Sequence, residues 1–294
     1  KLQKLGLAPT ELGKGRNVWY CMGYILASGK SESVALHDCD IVTYEKSLLA
    51  RLLYPVANPQ FNYAFSKGYY ARLSDGKING RVSRLLVTPL IKALKKVVGY
   101  NEYLEYMDSF RYPLAGEFSF RRDVLTDLRI PSDWGLEIGV LSEMKRNYAT
   151  NRLCQVDIAD VYDHKPQDLS IDDSGQGLSK MSTDIGKAIF RKLATNGEVF
   201  STEKFRTLKA TYYRVALDFV ETYHNDALIN GLKYVVSSNL LKLTMLELTK
   251  KGIVLISRSF SSSKRYSPSG NSVKSNPFLY KPLISIDSLY KVIP

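Results

Sequence analysis

In "EKSLLARLLYPV" (45–56) the apolar residues recur three and four positions apart, which predicts one helix face and a stop at Pro55. The same spacing predicts a short amphipathic helix over 18–28 and helices over 133–148, 177–196 and 203–252, with Asp133 as the cap of the second. "GRVSRLLVTPLIKALKKVVG" (80–99) also reads as helix, and Pro89 should kink it or begin a new one. Alternation with period two predicts strands over 33–37, 60–73 and 153–164, the last ending in Asp163-His164. "AGEFSFRRDVLTDL" (115–128) combines a short strand with a helix, and "GKGRN" (13–17) is expected to break local structure.

Strands and helices alternate to about residue 170, and helical spacing then takes over. The expectation is an α/β layered core over 1–170 followed by a mainly helical region over 171–294. Within that region the Ser-rich, basic stretch 257–277 reads as a loop, and "KPLISIDSLYKVIP" is apolar enough to dock back onto the body.

Composition narrows the classes. The 294 residues are 45% hydrophobic and 24% charged, ordinary for a globular protein. Lys and Arg number 41 against 29 acids, so the net charge is +12 and anionic partners are favoured. No Lys/Arg block dominates one segment, which argues against a nucleic-acid groove. Cys21, Cys39 and Cys154 show no CxxC spacing, suggest a reducing cytosol, and read as small buried apolar residues. Apolar runs such as "IVLI" (253–256) are too short to cross a bilayer, and the start lacks a signal-peptide core, so a cytoplasmic location is expected.

Candidate chemistry begins in "VALHDCDIV" (34–42). In an extended strand, Asp38 and Asp40 would face one space and Cys39 would turn away. Two carboxylates so close repel unless a cation or donors compensate, and Mg²⁺ or Mn²⁺ with phosphate co-ligands suits such oxygens. A solvated turn is the plainer reading of the tripeptide. Lys14 in "GKGRN" could reach a phosphate or sit in an exposed loop. "NGRVSR" (79–84) offers a helix N-terminus and Arg81 to an anion, or an ordinary cap with an exposed arginine. His37 and His164 fall at predicted strand ends, where a structural histidine is the commoner role; His224, in a helical stretch, has only that role.

In this order, "GKGRNVW", "HDCDI", "GRVSRL", "YPLAGEF", "WGLEIGVL" and "DHK" resemble the retaining glucosyl-3-phosphoglycerate synthases and their close relatives, the mannosyl-3-phosphoglycerate synthases. The resemblance spans about residues 13–170 and, more loosely, the helical remainder. It implies a GT-A fold, a Rossmann-like nucleotide-diphospho-sugar transferase core. It implies metal-dependent transfer of a hexose, glucose first, from a nucleotide-sugar such as UDP-glucose to the 2-hydroxyl of 3-phosphoglycerate. The transfer would retain anomeric configuration and serve glucosylglycerate-type compatible-solute synthesis. Asp40 and His164 resemble the metal ligands, and Asp38 the carboxylate shared by the metal shell and the nucleotide ribose. Lys14 resembles a donor-binding residue. Gly80, Arg81, Val82 and Ser83 resemble the acceptor-phosphate loop, with Ser83 where mycobacterial members carry Thr. The Leu114 carbonyl and Glu137 resemble the groups that hold the sugar; an acid in the first turn of a helix is the plainer role for Glu137.

Two departures stand out. Only twelve residues precede "GKGRN", where the family's nucleobase-gripping strands are expected, so the chain is expected to be a fragment or to lack part of the donor pocket. Lys165 and Pro166 replace an Arg and an acceptor-contacting Asn of mycobacterial members, and Lys165 could serve a phosphate instead. The competing readings are mannosyl transfer, a metal-dependent sugar nucleotidyltransferase, an inactive fragment, and a basic nucleic-acid-binding module. The expected partners are the nucleotide-sugar and 3-phosphoglycerate, with no membrane or nucleic acid, and the helical half would supply a homodimer interface.

Overall fold

The computed structural model describes residues 13–74, 76–80, 82–164, 177–233 and 284–285. Helix α1 (Lys14–Ser28), strand β1 (Ser33–Leu36), helix α2 (Lys46–Ala57) and strand β2 (Phe65–Tyr70) come first. The short strands β3 (Leu73–Ser74) and β4 (Lys77–Ile78) pair as a hairpin. A π-helical turn, Ser83–Val87, runs into α3 (Thr88–Val98). Then follow α4 (Glu102–Asp108), β5 (Phe118–Arg121), α5 (Val124–Asp127), β6 (Arg129–Ile130), α6 (Leu136–Asn147) and β7 (Leu153–Ala159). Helices α7 (Gly177–Thr195) and α8 (Thr202–Ile229) precede β8 (Ile284–Ser285).

The main sheet has the order β1-β5-β2-β7. Strand β5 runs antiparallel to β1 and β2, and β2 is parallel to β7. Both faces are covered. Helix α2 lies across one, where Leu48 and Leu52 pack with Tyr70, Ala115, Ile158 and Tyr162. On the other, Phe65, Phe118 and Phe120 join the apolar sides of α1, α3, α4, α6, α7 and α8 in one larger core. A strand covered on both sides shows weak alternation, so β2 occupies only the middle of the expected 60–73 strand.

The departures from the expected elements have local causes. Residues 13–17 do not break the chain: Gly13 caps α1, which begins at Lys14. Helix α2 continues past Pro55 to Ala57: the proline sits in the last turn, so the lost bond and the ring's push on the carbonyl one turn back fall where the helix is ending. Pro89 starts α3 after the π-helical turn. It has no N–H for the Leu85 carbonyl, and the buried Tyr212 hydroxyl of α8 donates to that carbonyl at 2.6 Å. Asp133 does not cap α6; its Oδ1 accepts from the Gly135 N–H at 2.9 Å, and the helix starts at Leu136. Strand β7 ends at Ala159, short of His164. Cys21 and Cys39 are exposed and Cys154 is half-buried, so none of the three is a core residue.

Helix α8 ends at Ile229, short of the expected 252. Residues 234–252 and 257–277 lie outside the described residues. Of the C-terminal segment, β8 pairs antiparallel with β6. Among the described residues, no helix is long and apolar enough to cross a membrane.

Candidate active site

The site is assembled where α1, the turn after β1, the turn before β5 and the start of α6 meet. Gly13 and Gly15 make the first junction possible. A Cβ on Gly15 would lie 1.9 Å from the Pro131 carbonyl oxygen, and one on Gly13 would lie 2.5 Å from that of Ser132. With no side chains there, the Gly15 and Arg16 amides donate to the Asp133 and Ser132 carbonyls at 3.3 and 3.0 Å. The N-terminus of α1 is thereby set beside the segment that leads into α6.

Lys14 then bridges two carboxylates. Its Nζ lies 2.5 Å from Asp38 Oδ1 and 2.7 Å from Glu137 Oε1. Burial works against the ammonium charge, but Glu137 and Asp38 more than offset it, and the Lys14 pKa is held above the ordinary lysine value. A cation in the first turn of a helix faces the positive end of the helix dipole, and these carboxylates compensate for that as well. Glu137 is buried in the first turn of α6, where the dipole favours a carboxylate.

The two aspartates do not share one space. The extended backbone ends at Leu36, and residues 39–40 form a turn. Asp38 turns to Lys14, whereas Asp40 Oδ2 lies 4.0 Å from His164 Nδ1. Among the described residues, no three His, Cys, Asp or Glu side chains form a ready metal cluster. Asp40 and His164 meet because the segments carrying them are tied together. Ile41 and His164 form a β-bridge, the Val42 N–H donates to the Asp163 carbonyl at 2.8 Å, and the Asp163 N–H donates to Thr43 Oγ1 at 2.9 Å. His37 packs its ring against Tyr44, with centroids 5.4 Å apart. Both His37 nitrogens are buried without hydrogen-bond partners among the described residues, and burial lowers its pKa against the pull of Asp38. His224 sits on α8.

Behind this front lie groups that sequence reasoning missed. Lys67 of β2 is fully buried, and its ammonium donates to the Ala115 carbonyl. Burial lowers its pKa to about 8, although Glu137 and Glu117 favour the charge. Glu117 is also fully buried and accepts from the Tyr70 and Tyr162 hydroxyls, each at 2.8 Å. Burial and the nearby Asp38 raise its pKa. The signal was present in "FSKGYY" and "AGEF", where a charged residue sits among inward-facing apolar positions and needs buried partners. Leu114 lies in the turn of this segment, closed by the Ala115 N–H to the Tyr112 carbonyl at 3.1 Å.

The expected acceptor loop sits at the start of the π-helical turn. Gly80 adopts a φ of 91°, which favours glycine. Val82 is buried, and among the described residues no group hydrogen-bonds the buried Ser83 hydroxyl. Around Gly80 stand Arg72, outside the motifs, and Arg84, inside "GRVSRL" but given no role there. Arg72 donates to the Tyr112 hydroxyl at 3.3 Å, and Arg84 lies over the Tyr223 ring at 4.9 Å. Arg81 and Lys165 lie outside the described residues.

Comparison with known proteins follows the same line. No family model matches the chain. It is 49% identical over 234 residues to the glucosyl-3-phosphoglycerate synthase of Persephonella marina, covering 80% of this chain and 58% of the relative. It is 41% identical over 237 residues to the enzyme of the same name from Methanococcoides burtonii, covering 79% and 57%. The chain thus spans somewhat less than three-fifths of the length of these curated relatives. The mannosyl-3-phosphoglycerate synthase structure from Rubrobacter xylanophilus superposes with a TM-score of 0.53 at 24% identity, covering 68% of this chain and 56% of that one. The fold is therefore the GT-A core that the motifs implied, and their resemblance to the glucosyl-3-phosphoglycerate synthases holds over four-fifths of the chain.

Proposed function

We propose that this chain acts as a glucosyl-3-phosphoglycerate synthase, moving glucose from UDP-glucose to the 2-hydroxyl of 3-phosphoglycerate with retention. One observation carries the reading: Lys14, Asp38 and Glu137 converge from three segments, and two residues past Asp38 the Asp40 carboxylate lies 4.0 Å from His164. The names of the Persephonella marina and Methanococcoides burtonii relatives favour glucose over mannose.

Asp40 and His164 are the proposed ligands of Mg²⁺ or Mn²⁺. Their facing atoms are 4.0 Å apart and would offer the cation one carboxylate oxygen and one imidazole nitrogen. A bound cation would take up the negative charge that builds on the departing nucleoside diphosphate. Lys14 adds positive charge at the donor phosphates, and Asp38 orients the donor beside it. Glu137 and the Leu114 carbonyl hold the transferred sugar, with the carboxylate placed to favour positive charge at the anomeric carbon. Gly80, Arg81, Val82 and Ser83 take the acceptor phosphate at the start of the π-helical turn, and Lys165 adds charge to it. The buried Ser83 hydroxyl, without a hydrogen-bond partner among the described residues, supports this assignment. The reading also takes the protein as a cytoplasmic homodimer that binds neither membrane nor nucleic acid.

The test incubates the full chain with UDP-glucose, 3-phosphoglycerate and Mn²⁺, and follows α-linked product by NMR. Asp40→Ala is expected to remove metal-dependent UDP binding in calorimetric titration. No transfer by the wild-type chain, or consumption of UTP with glucose 1-phosphate instead, would overturn the assignment.

A further inference from the structure

The carboxylate of Glu117 joins three segments. Its Oε1 accepts from the Tyr162 hydroxyl at 2.8 Å and from the Asp38 N–H at 3.4 Å; its Oε2 accepts from the Tyr70 hydroxyl at 2.8 Å. The two phenol rings stack with centroids 3.5 Å apart. Tyr162 stands two residues before His164, and Asp38 two residues before Asp40. One buried oxygen atom therefore links the two segments that carry the candidate metal ligands. Gly116 permits the approach, since a Cβ there would lie 2.4 Å from the Asp38 carboxylate oxygens.

We propose that Glu117 is a positioning residue that sets the distance between Asp40 and His164, acting through Asp38 and Tyr162. The bridge at Ile41 fixes which residues pair beyond the ligands, and Glu117 fixes the spacing on the inner side. The inference rests on the metal-dependent transferase reading given above. It also separates the two tyrosines, because Tyr162 shares the oxygen that holds Asp38 whereas Tyr70 braces the other one.

The experiment measures Mn²⁺ affinity directly by calorimetry on the full chain, with UDP present, alongside thermal melting. Glu117→Ala and Tyr162→Phe are expected to weaken Mn²⁺ about 10–100-fold, the size of outer-shell effects at metal sites. Tyr70→Phe is expected to change affinity by less than about 3-fold, and Glu117→Gln, which keeps the acceptor oxygen, to restore most of it. Equal affinities in Tyr162→Phe and the wild type overturn the proposal even if both melt differently, as do equal losses in the two tyrosine variants. These conservative hydroxyl deletions decide the matter if Glu117→Ala does not fold. A wild-type chain that binds no Mn²⁺ overturns both this inference and the function beneath it, whereas a metal-binding wild type with unaffected variants overturns this inference alone.

Discussion

Two regions of the protein join lysine to a pair of carboxylates. Between α3 and α4, Lys95 reaches Glu105 at 2.6 Å and Asp108 at 2.8 Å, and Lys92 reaches the same Asp108 oxygen at 2.7 Å. These partners are 10 to 16 residues apart along the chain. At the candidate site, Lys14 reaches Asp38 and, 123 residues away, Glu137. The helix cluster is open at its outer edge, with Lys92 41% and Glu105 43% exposed around a more buried Asp108 at 14%, so solvent screens much of it. Glu137 is only 8% exposed, and its charge depends on Lys14 for compensation. Burial pushes Asp108 up, yet its two lysines hold it below the usual carboxylate range. The same pairing therefore staples two neighbouring helices in one place and assembles a charged site from distant segments in the other.

The largest break in this comparison is Lys14→Met. It leaves Asp38 and Glu137 near each other without their shared cation, and loss of one partner of a buried pair costs roughly 3–5 kcal/mol. Urea denaturation should show a loss at the low end of that range, since Lys14 keeps a fifth of its side-chain exposure, and UDP-glucose titration should show no donor binding. A loss below about 1 kcal/mol with intact donor binding would make Lys14 equivalent to a surface lysine.

A third lysine sharpens the contrast. Lys67 is buried like Glu137, but its bonded partner is the neutral Ala115 carbonyl. Its folded pKa of about 8 lies below the ordinary 10.5. Between those values the unfolded chain binds the extra proton, so this group's contribution to stability rises with pH through that window. Relative to Lys67→Met, the wild type should gain up to roughly 3 kcal/mol between pH 8 and 10.5. Paired denaturation curves measure the difference, and a flat difference would show that Lys67 keeps its proton throughout.

The smallest effect is expected from Lys95→Met. An exposed pair contributes about 0.2–1 kcal/mol, less at high salt, and transfer activity should remain that of the wild type. A larger loss that is insensitive to salt would mean that the α3–α4 cluster is shielded as the site is.

Much of this was legible in local spacing. Period-3.6 patterns marked α2, α6, α7 and the first part of α8, and six short motifs marked the GT-A core. The motifs also named Lys14, Asp38, Asp40, Glu137 and His164; the structure joins Lys14 to Asp38 and Glu137, and sets Asp40 opposite His164. Other features were not legible because their causes are not local. Helix α4 went unread, although Asn101 caps it by accepting from the Tyr103 and Leu104 N–H groups. "GKGRN" carries the breakers of a loop, and only the close backbone of Pro131–Asp133 makes it a helix start.

By itself the sequence determined the order of strands and helices, the surplus of positive charge and the residue types available for chemistry, since these follow from spacing and composition within a few turns of chain. Tertiary structure alone decided which charge meets which. It parted Asp38 from Asp40, sending one to Lys14 and the other to His164, where alternation along an isolated strand had set them side by side. It buried Lys67 and Glu117 behind them, among two tyrosines and a carbonyl from other segments. The physical reason is that a buried charge must find its partners wherever the fold brings them, and those partners lie beyond the reach of any local pattern.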